Sequence, residues 1–94
     1  MKILSTADAE QDRNEIFDYI ADDNPSAAVR MDTRFAEAVR RLGNHPYMDR
    51  IGKIPGTREL IPHENYRVVY EIDVETVRIL ALVHVTRQWP PDRG

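Results

Sequence analysis

The chain of 94 residues contains no cysteine. That absence excludes a disulfide framework and any thiolate metal site, and it fits a protein of the reducing cytoplasm. Long apolar runs are also missing, and none nears the roughly 20 residues that span a bilayer. The first five residues, Met1-Lys2-Ile3-Leu4-Ser5, lack the apolar stretch of a secretory signal. Positive charge is in short supply, with 13 Lys and Arg against 16 Asp and Glu and a net charge of −3. Generic binding to nucleic acid needs many cationic contacts, so the balance argues against it, though not against a local basic site. Histidine is sparse: His45 and His63 each stand beside a proline, without partners at metal-ligand spacing, so no metal is expected. Neither a phosphate-binding P-loop nor a glycine-rich dinucleotide loop is present, and no cofactor is expected. No internal repeat or low-complexity stretch divides the chain, and its length makes one domain over 1–94 with a small core.

What is there falls into two halves. The first is patterned for helices. Ile3 and Leu4 suit a short strand. Asp8 reads as a helix N-cap with Gln11 as its reciprocal partner, opening a helix over residues 9–21 whose apolar stripe is Ala9, Ile16, Phe17 and Ile20. Arg13 stands where that stripe wants an apolar group, a place from which a long side chain can snorkel to the edge. Asn24 as N-cap and Pro25 as first helical residue open a second helix to Leu42. Its apolar positions Ala28, Met31, Phe35, Ala38, Val39 and Leu42 recur at spacings of three and four. Gly43 follows as the natural stop. So short a link between two helices makes an antiparallel hairpin. Acidic residues crowd the first 25 positions and basic residues the remainder, a polarised surface that is ordinarily a solvated helix face.

The second half is patterned for strands. A loop over residues 45–56, punctuated by Pro46, Gly52, Pro55 and Gly56, leads to strands near 57–61, 65–73 and 76–85. Centring the last hairpin on Val74-Glu75 pairs Glu71 with Arg78, Val69 with Leu80 and Arg67 with Leu82. Centring the earlier one on His63-Glu64 pairs Leu60 with Arg67 and Arg58 with Val69. In these registers Tyr66, Val68, Tyr70 and Ile72 face the helices with Val77, Ile79, Ala81 and Val83. Arg58, Arg67 and His84 then converge on the other face, with Lys53 and Arg87 at its rim. Cations around an imidazole that titrates near neutrality are what cleavage of an RNA phosphodiester would use. The structural alternative is cross-strand pairing of Arg67 with Glu71 or Glu59 and of Arg78 with Glu71. Both registers matter, because a slip of one residue moves a strand's side chains to the opposite face.

Several stretches together carry a family signal: Pro55-Gly56-Thr57-Arg58-Glu59-Leu60, His63-Glu64-Asn65-Tyr66-Arg67-Val68-Val69-Tyr70 and Val83-His84-Val85-Thr86-Arg87-Gln88-Trp89-Pro90. With Tyr19-Ile20 closing the first helix and the Asn44-His45-Pro46 link, the chain resembles toxins of the RelE/ParE superfamily, the toxic halves of bacterial type II toxin–antitoxin pairs. The resemblance implies an α+β fold in the order β-α-α-β-β-β, a helical hairpin on an antiparallel sheet. The Pro-Gly-x-Arg-Glu turn and the ending His84-Val85-Thr86-Arg87 are closer to the ParE branch, whose members poison DNA gyrase. That implies an inhibitor acting by protein contact rather than an enzyme, neutralised by a cognate antitoxin. The alternatives are a RelE-like mRNA endonuclease acting on the ribosome, with Arg58, Arg67 and His84 as its catalytic groups, and a non-toxic interaction module of the same fold. Two departures bear on the choice: Arg13 replaces an apolar residue of the first helix, and the chain lacks the C-terminal Tyr-bearing segment of RelE-type nucleases. On the ParE-like reading Arg58, Arg67, His84, Arg87 and Trp89 contact the target, while Phe35, Val69, Leu80 and Leu82 contact the antitoxin.

Overall fold

The computed structural model describes residues 1–85. Within them the chain forms β1 (Lys2–Ser5), α1 (Ala7–Ala21), α2 (Pro25–Leu42), β2 (Arg50–Ile51), β3 (Arg58–His63), β4 (Tyr66–Asp73) and β5 (Thr76–His84). The helices pack as a hairpin on a five-stranded sheet of order β1-β5-β4-β3-β2. The expected α+β order is observed, with two differences. β1 runs parallel to β5, so the sheet is mixed rather than antiparallel. The two-residue β2 forms inside the expected loop and pairs with β3.

Helix α1 starts two residues earlier than its sequence pattern indicates. Thr6, not Asp8, is the N-cap: its Oγ1 accepts the Ala9 N–H at 3.1 Å. The same hydroxyl donates to the Leu80 carbonyl at 3.3 Å, which a group with one donor and two lone pairs can do at once. Gln11 closes no capping box and donates to Glu15 instead. Helix α2 begins as expected, with Asn24 Oδ1 accepting from Ala27 N–H at 3.1 Å and Pro25 in the first turn. Its Ala28, Phe35, Ala38 and Leu42 are buried, and Met31 and Val39 are partly so. Arg13 does not snorkel to solvent alone. It reaches across the hairpin to Asp32 in a two-pronged pair, Nε–Oδ1 at 2.6 Å and Nη2–Oδ2 at 3.0 Å, a geometry that fixes the helices' register more than it stabilises them, since both side chains are partly exposed.

The sheet registers differ from those read off the sequence, and this changes which side chains share a face. In β4–β5 the expected pairing holds from Asp73↔Thr76 through Glu71↔Arg78 to Tyr70↔Ile79, then a one-residue bulge leaves Leu80 unmatched. Beyond it the pairs are Val69↔Ala81, Val68↔Leu82, Arg67↔Val83 and Tyr66↔His84. Leu82 and His84 thereby pass to the helix side. In β3–β4 the pairs are Arg58↔Tyr70, Glu59↔Val69 and Leu60↔Val68, one residue off the expected set, so Arg58 and Leu60 also move to the helix side. The main core is built from Phe35, Leu42, Leu60, Tyr66, Val68, Tyr70, Val77, Ile79 and Leu82. Val69, Ala81 and Val83 form a smaller cluster on the far face.

Candidate functional site

The cations and imidazole expected at one place are apart. Arg58 sits opposite Tyr70 and His84 opposite Tyr66, four residues along β4 or about 13 Å at strand spacing. Arg67 projects from the other face. Acid, base and cation must lie within hydrogen-bond reach of one reacting group, and this arrangement does not provide that. Arg58 Nη1 donates to the carbonyls of Asp49 (2.8 Å) and Tyr47 (3.3 Å), with its guanidinium 5.3 Å from the Tyr47 ring centroid. Arg67 Nη1 lies 3.5 Å from Glu59 Oε1, the pairing that cross-strand chemistry offered as the alternative. Glu71 and Arg78 also pair, at 2.9 Å. Arg87 and Trp89 lie outside the described residues.

The residues assigned to antitoxin contact are placed differently as well. Phe35 and Leu82 belong to the main core and Val69 is fully enclosed. Leu80 is the bulge residue and is half-buried. The bulge accounts for the placement of Leu82 under the helices, and the α2 periodicity that marks Phe35 as apolar marks a core position equally well.

His84 meets the Tyr66 ring edge-on at 5.0 Å and lines a cleft of about 410 Å³ with Asp12, Glu15, Ile16, Tyr19, Tyr66 and Leu82. Asp12 is anchored there because β1 ends opposite Ile79, leaving the next stretch of β5 as an edge. Its Oδ2 accepts the Leu82 N–H at 3.1 Å. The imidazole therefore shares its cleft with two carboxylates. That potential suits a cationic or amide-bearing group and repels a phosphodiester.

Two polar assemblies were not legible as sites. Glu59, its side chain about 1% exposed, accepts from Arg50 Nη2 at 3.2 Å and from the Lys53 backbone N–H at 3.0 Å besides its contact with Arg67. Tyr70, fully buried, donates its hydroxyl to the Pro46 carbonyl at 2.8 Å and lies 3.0 Å from Asp49 Oδ2. Burial first, then the Asp49 carboxylate, raise the Tyr70 phenol above its ordinary range, against a smaller lowering by Arg58. The sign follows directly. The folded state keeps the phenol protonated, so this contribution to stability is complete below the unfolded-state value near pH ~10 and is lost as pH rises beyond it toward the folded-state value. Urea midpoints are expected to fall between pH 9 and pH 11 in the unmodified chain and to fall less in Tyr70→Phe. Equal slopes for the two proteins would show that Tyr70 does not govern alkaline stability.

Among the described residues no three His, Asp or Glu side chains are grouped to hold a metal, and no helix is long and apolar enough to cross a membrane. Comparison with known proteins gives a consistent answer. The profile of a family described as "ParE toxin of type II toxin-antitoxin system, parDE" matches residues 3–89. A curated protein of Sinorhizobium fredii, "Putative toxin Y4kP", is 40% identical over 78 residues, which cover 82% of this chain and 80% of that protein. Among solved structures, the chromosomal ParDE system of P. aeruginosa superposes with a TM-score of 0.78 at 22% identity, covering 89% of this chain and 95% of the other. The toxin–antitoxin complex RelBE2 of Mycobacterium tuberculosis gives a TM-score of 0.66 at 24% identity, covering 88% and 95%. Both likenesses lie in the fold.

Proposed function

The chain belongs to the ParE toxin family of type II toxin–antitoxin systems, and from that premise we propose that it halts growth in the cytoplasm by binding and poisoning DNA gyrase and is neutralised by a cognate antitoxin. The observation that carries the choice of a protein contact over RNA cleavage is the dispersal of Arg58, Arg67 and His84. Two of them are already engaged, Arg58 with loop carbonyls and Arg67 with Glu59, and the third shares its cleft with Asp12 and Glu15. An antitoxin partner is supported by the P. aeruginosa and M. tuberculosis relatives, solved as a ParDE system and a RelBE2 toxin–antitoxin complex. In this reading the antitoxin segment lies along the helical hairpin and the exposed sheet, and Arg87 and Trp89 contribute to target contact.

The test is induced expression with plasmid supercoiling and total mRNA integrity read in the same cells, followed by purified gyrase. Supercoiling is expected to fail while mRNA stays intact, and His84→Gln is expected to retain most of the toxicity. A nuclease using His84 as acid or base would instead lose roughly 100-fold or more. Cleaved mRNA with supercoiling unaffected would overturn the gyrase reading.

A further inference from the structure

The chain is acidic overall at −3, yet the balance reverses around the connection from α2 to β3. Over residues 40–53 the cations Arg40, Arg41, Arg50 and Lys53 stand against one acidic residue, Asp49, whose carboxylate is turned onto the Tyr70 hydroxyl; Arg50 is paired with Glu59 of β3, so Arg40, Arg41 and Lys53 carry the excess. The same segment holds large apolar side chains in water: Tyr47 is 62%, Met48 78% and Ile51 69% exposed. Its backbone is nevertheless tied down. Tyr70 and Arg58 together engage the carbonyls of Pro46, Tyr47 and Asp49, β2 pairs Arg50 and Ile51 with Glu59 and Arg58, and Glu59 accepts the Lys53 N–H. Fixing a loop residue costs chain entropy that must be offset. Here buried groups of two strands are committed to fixing a loop that keeps three apolar side chains out of the core.

We infer that residues 45–53 form a docking surface for a folded protein that presents an apolar pocket ringed by carboxylates, and that this surface carries the toxic contact. The inference rests on the reading that the toxin acts by protein contact, but not on gyrase as the target. Exposed Tyr, Met and Ile side chains with cations in the same short segment have the composition of a protein interface. A nucleic-acid surface would carry its cations in the centre and in greater number. A second copy of this chain would set like charges against each other. Preorganisation by Tyr70 and Arg58 lowers the ordering cost of binding.

The experiment compares growth inhibition with antitoxin binding. Met48→Glu with Ile51→Glu changes two exposed residues, and its thermal midpoint is expected to match that of the unmodified chain. Growth inhibition should fall about 30-fold or more, the size of a lost hot spot, while the complex with the cognate antitoxin persists. Met48→Gln provides a milder variant, expected to fold normally and lose part of the toxicity. Lys53→Glu with Arg41→Glu should weaken growth inhibition about tenfold, and Lys53→Arg should not. Undiminished growth inhibition in the Met48/Ile51 variant, or loss of antitoxin binding in place of toxicity, would overturn the inference. Charge reversals without effect would overturn the acidic partner. If the variants lose toxicity while the unmodified chain leaves supercoiling untouched, this surface stands and gyrase falls as the target.

Discussion

Truncating Phe35 to alanine is expected to unfold most of the protein, not to yield a folded toxin that its antitoxin cannot grip. Phe35 is about 1% exposed and meets Tyr66 edge-on at 5.6 Å and 87°. Phe→Ala in a packed core costs about 3–5 kcal/mol, and an aromatic edge contact adds about 0.5–1.5 kcal/mol to the loss. A domain of this size has a total stability near the low end of the usual ~5–15 kcal/mol. The variant's urea midpoint should therefore drop far toward zero denaturant, and any loss of antitoxin binding should track the unfolded fraction. Binding lost from a variant whose midpoint shifts by less than about 1 kcal/mol equivalent would restore Phe35 as a contact residue.

The parts of the fold that were legible in the sequence are those set by local chemistry. The α2 stripe, the Asn24-Pro25 start and the Val74-Glu75 hairpin need only spacing, a cap and a turn, and all three are observed. The site was less legible because it depends on register. One extra residue at Leu80 carries Leu82 and His84 to the opposite face, and nothing in Ile79-Leu80-Ala81 marks a bulge. Its support comes from 74 positions away, where the hydroxyl of Thr6 donates to the Leu80 carbonyl. That link also accounts for the missed helix start, because Thr6 caps α1 while holding the bulge, and Asp8 was the more obvious cap by composition. The β3 register slipped for a related reason: a further irregularity lies between Leu60 and His63, so counting outward from the turn gives the wrong partner. The Tyr70 and Arg58 contacts with the loop could not be read at all, since a tyrosine in an apolar strand carries no sign of where its hydroxyl points.

Replacing Glu59 by glutamine is expected to destabilise the fold by about 2–4 kcal/mol, and Arg67→Ala should do comparable damage. Glu59 is nearly sealed from water and gathers Arg50, Arg67 and the Lys53 N–H. Glutamine keeps the shape but removes the charge, leaving the mostly buried Arg67 guanidinium, whose Nε already lacks a hydrogen-bond partner among the described residues, without its counterion. Its amide would also set one N–H group against another, at the Lys53 backbone or at an arginine. Both effects are those of breaking a buried ion pair, which costs more than the pair itself contributes. If so, Arg67 acts as a structural residue through Glu59 and not as a contact to the target or a catalytic group. A double-mutant cycle isolates the term: Glu59→Leu with Arg67→Leu replaces both charges on a face that already holds Val69, Ala81 and Val83. It should recover much of the stability lost by either single change, with a coupling of about 2 kcal/mol. Urea melts of the four proteins at low and high salt measure it, and the coupling should change little with salt because the carboxylate is shielded from solvent. Additive losses would mean that Glu59 and Arg67 act independently, and Arg67 would again be a candidate for target contact.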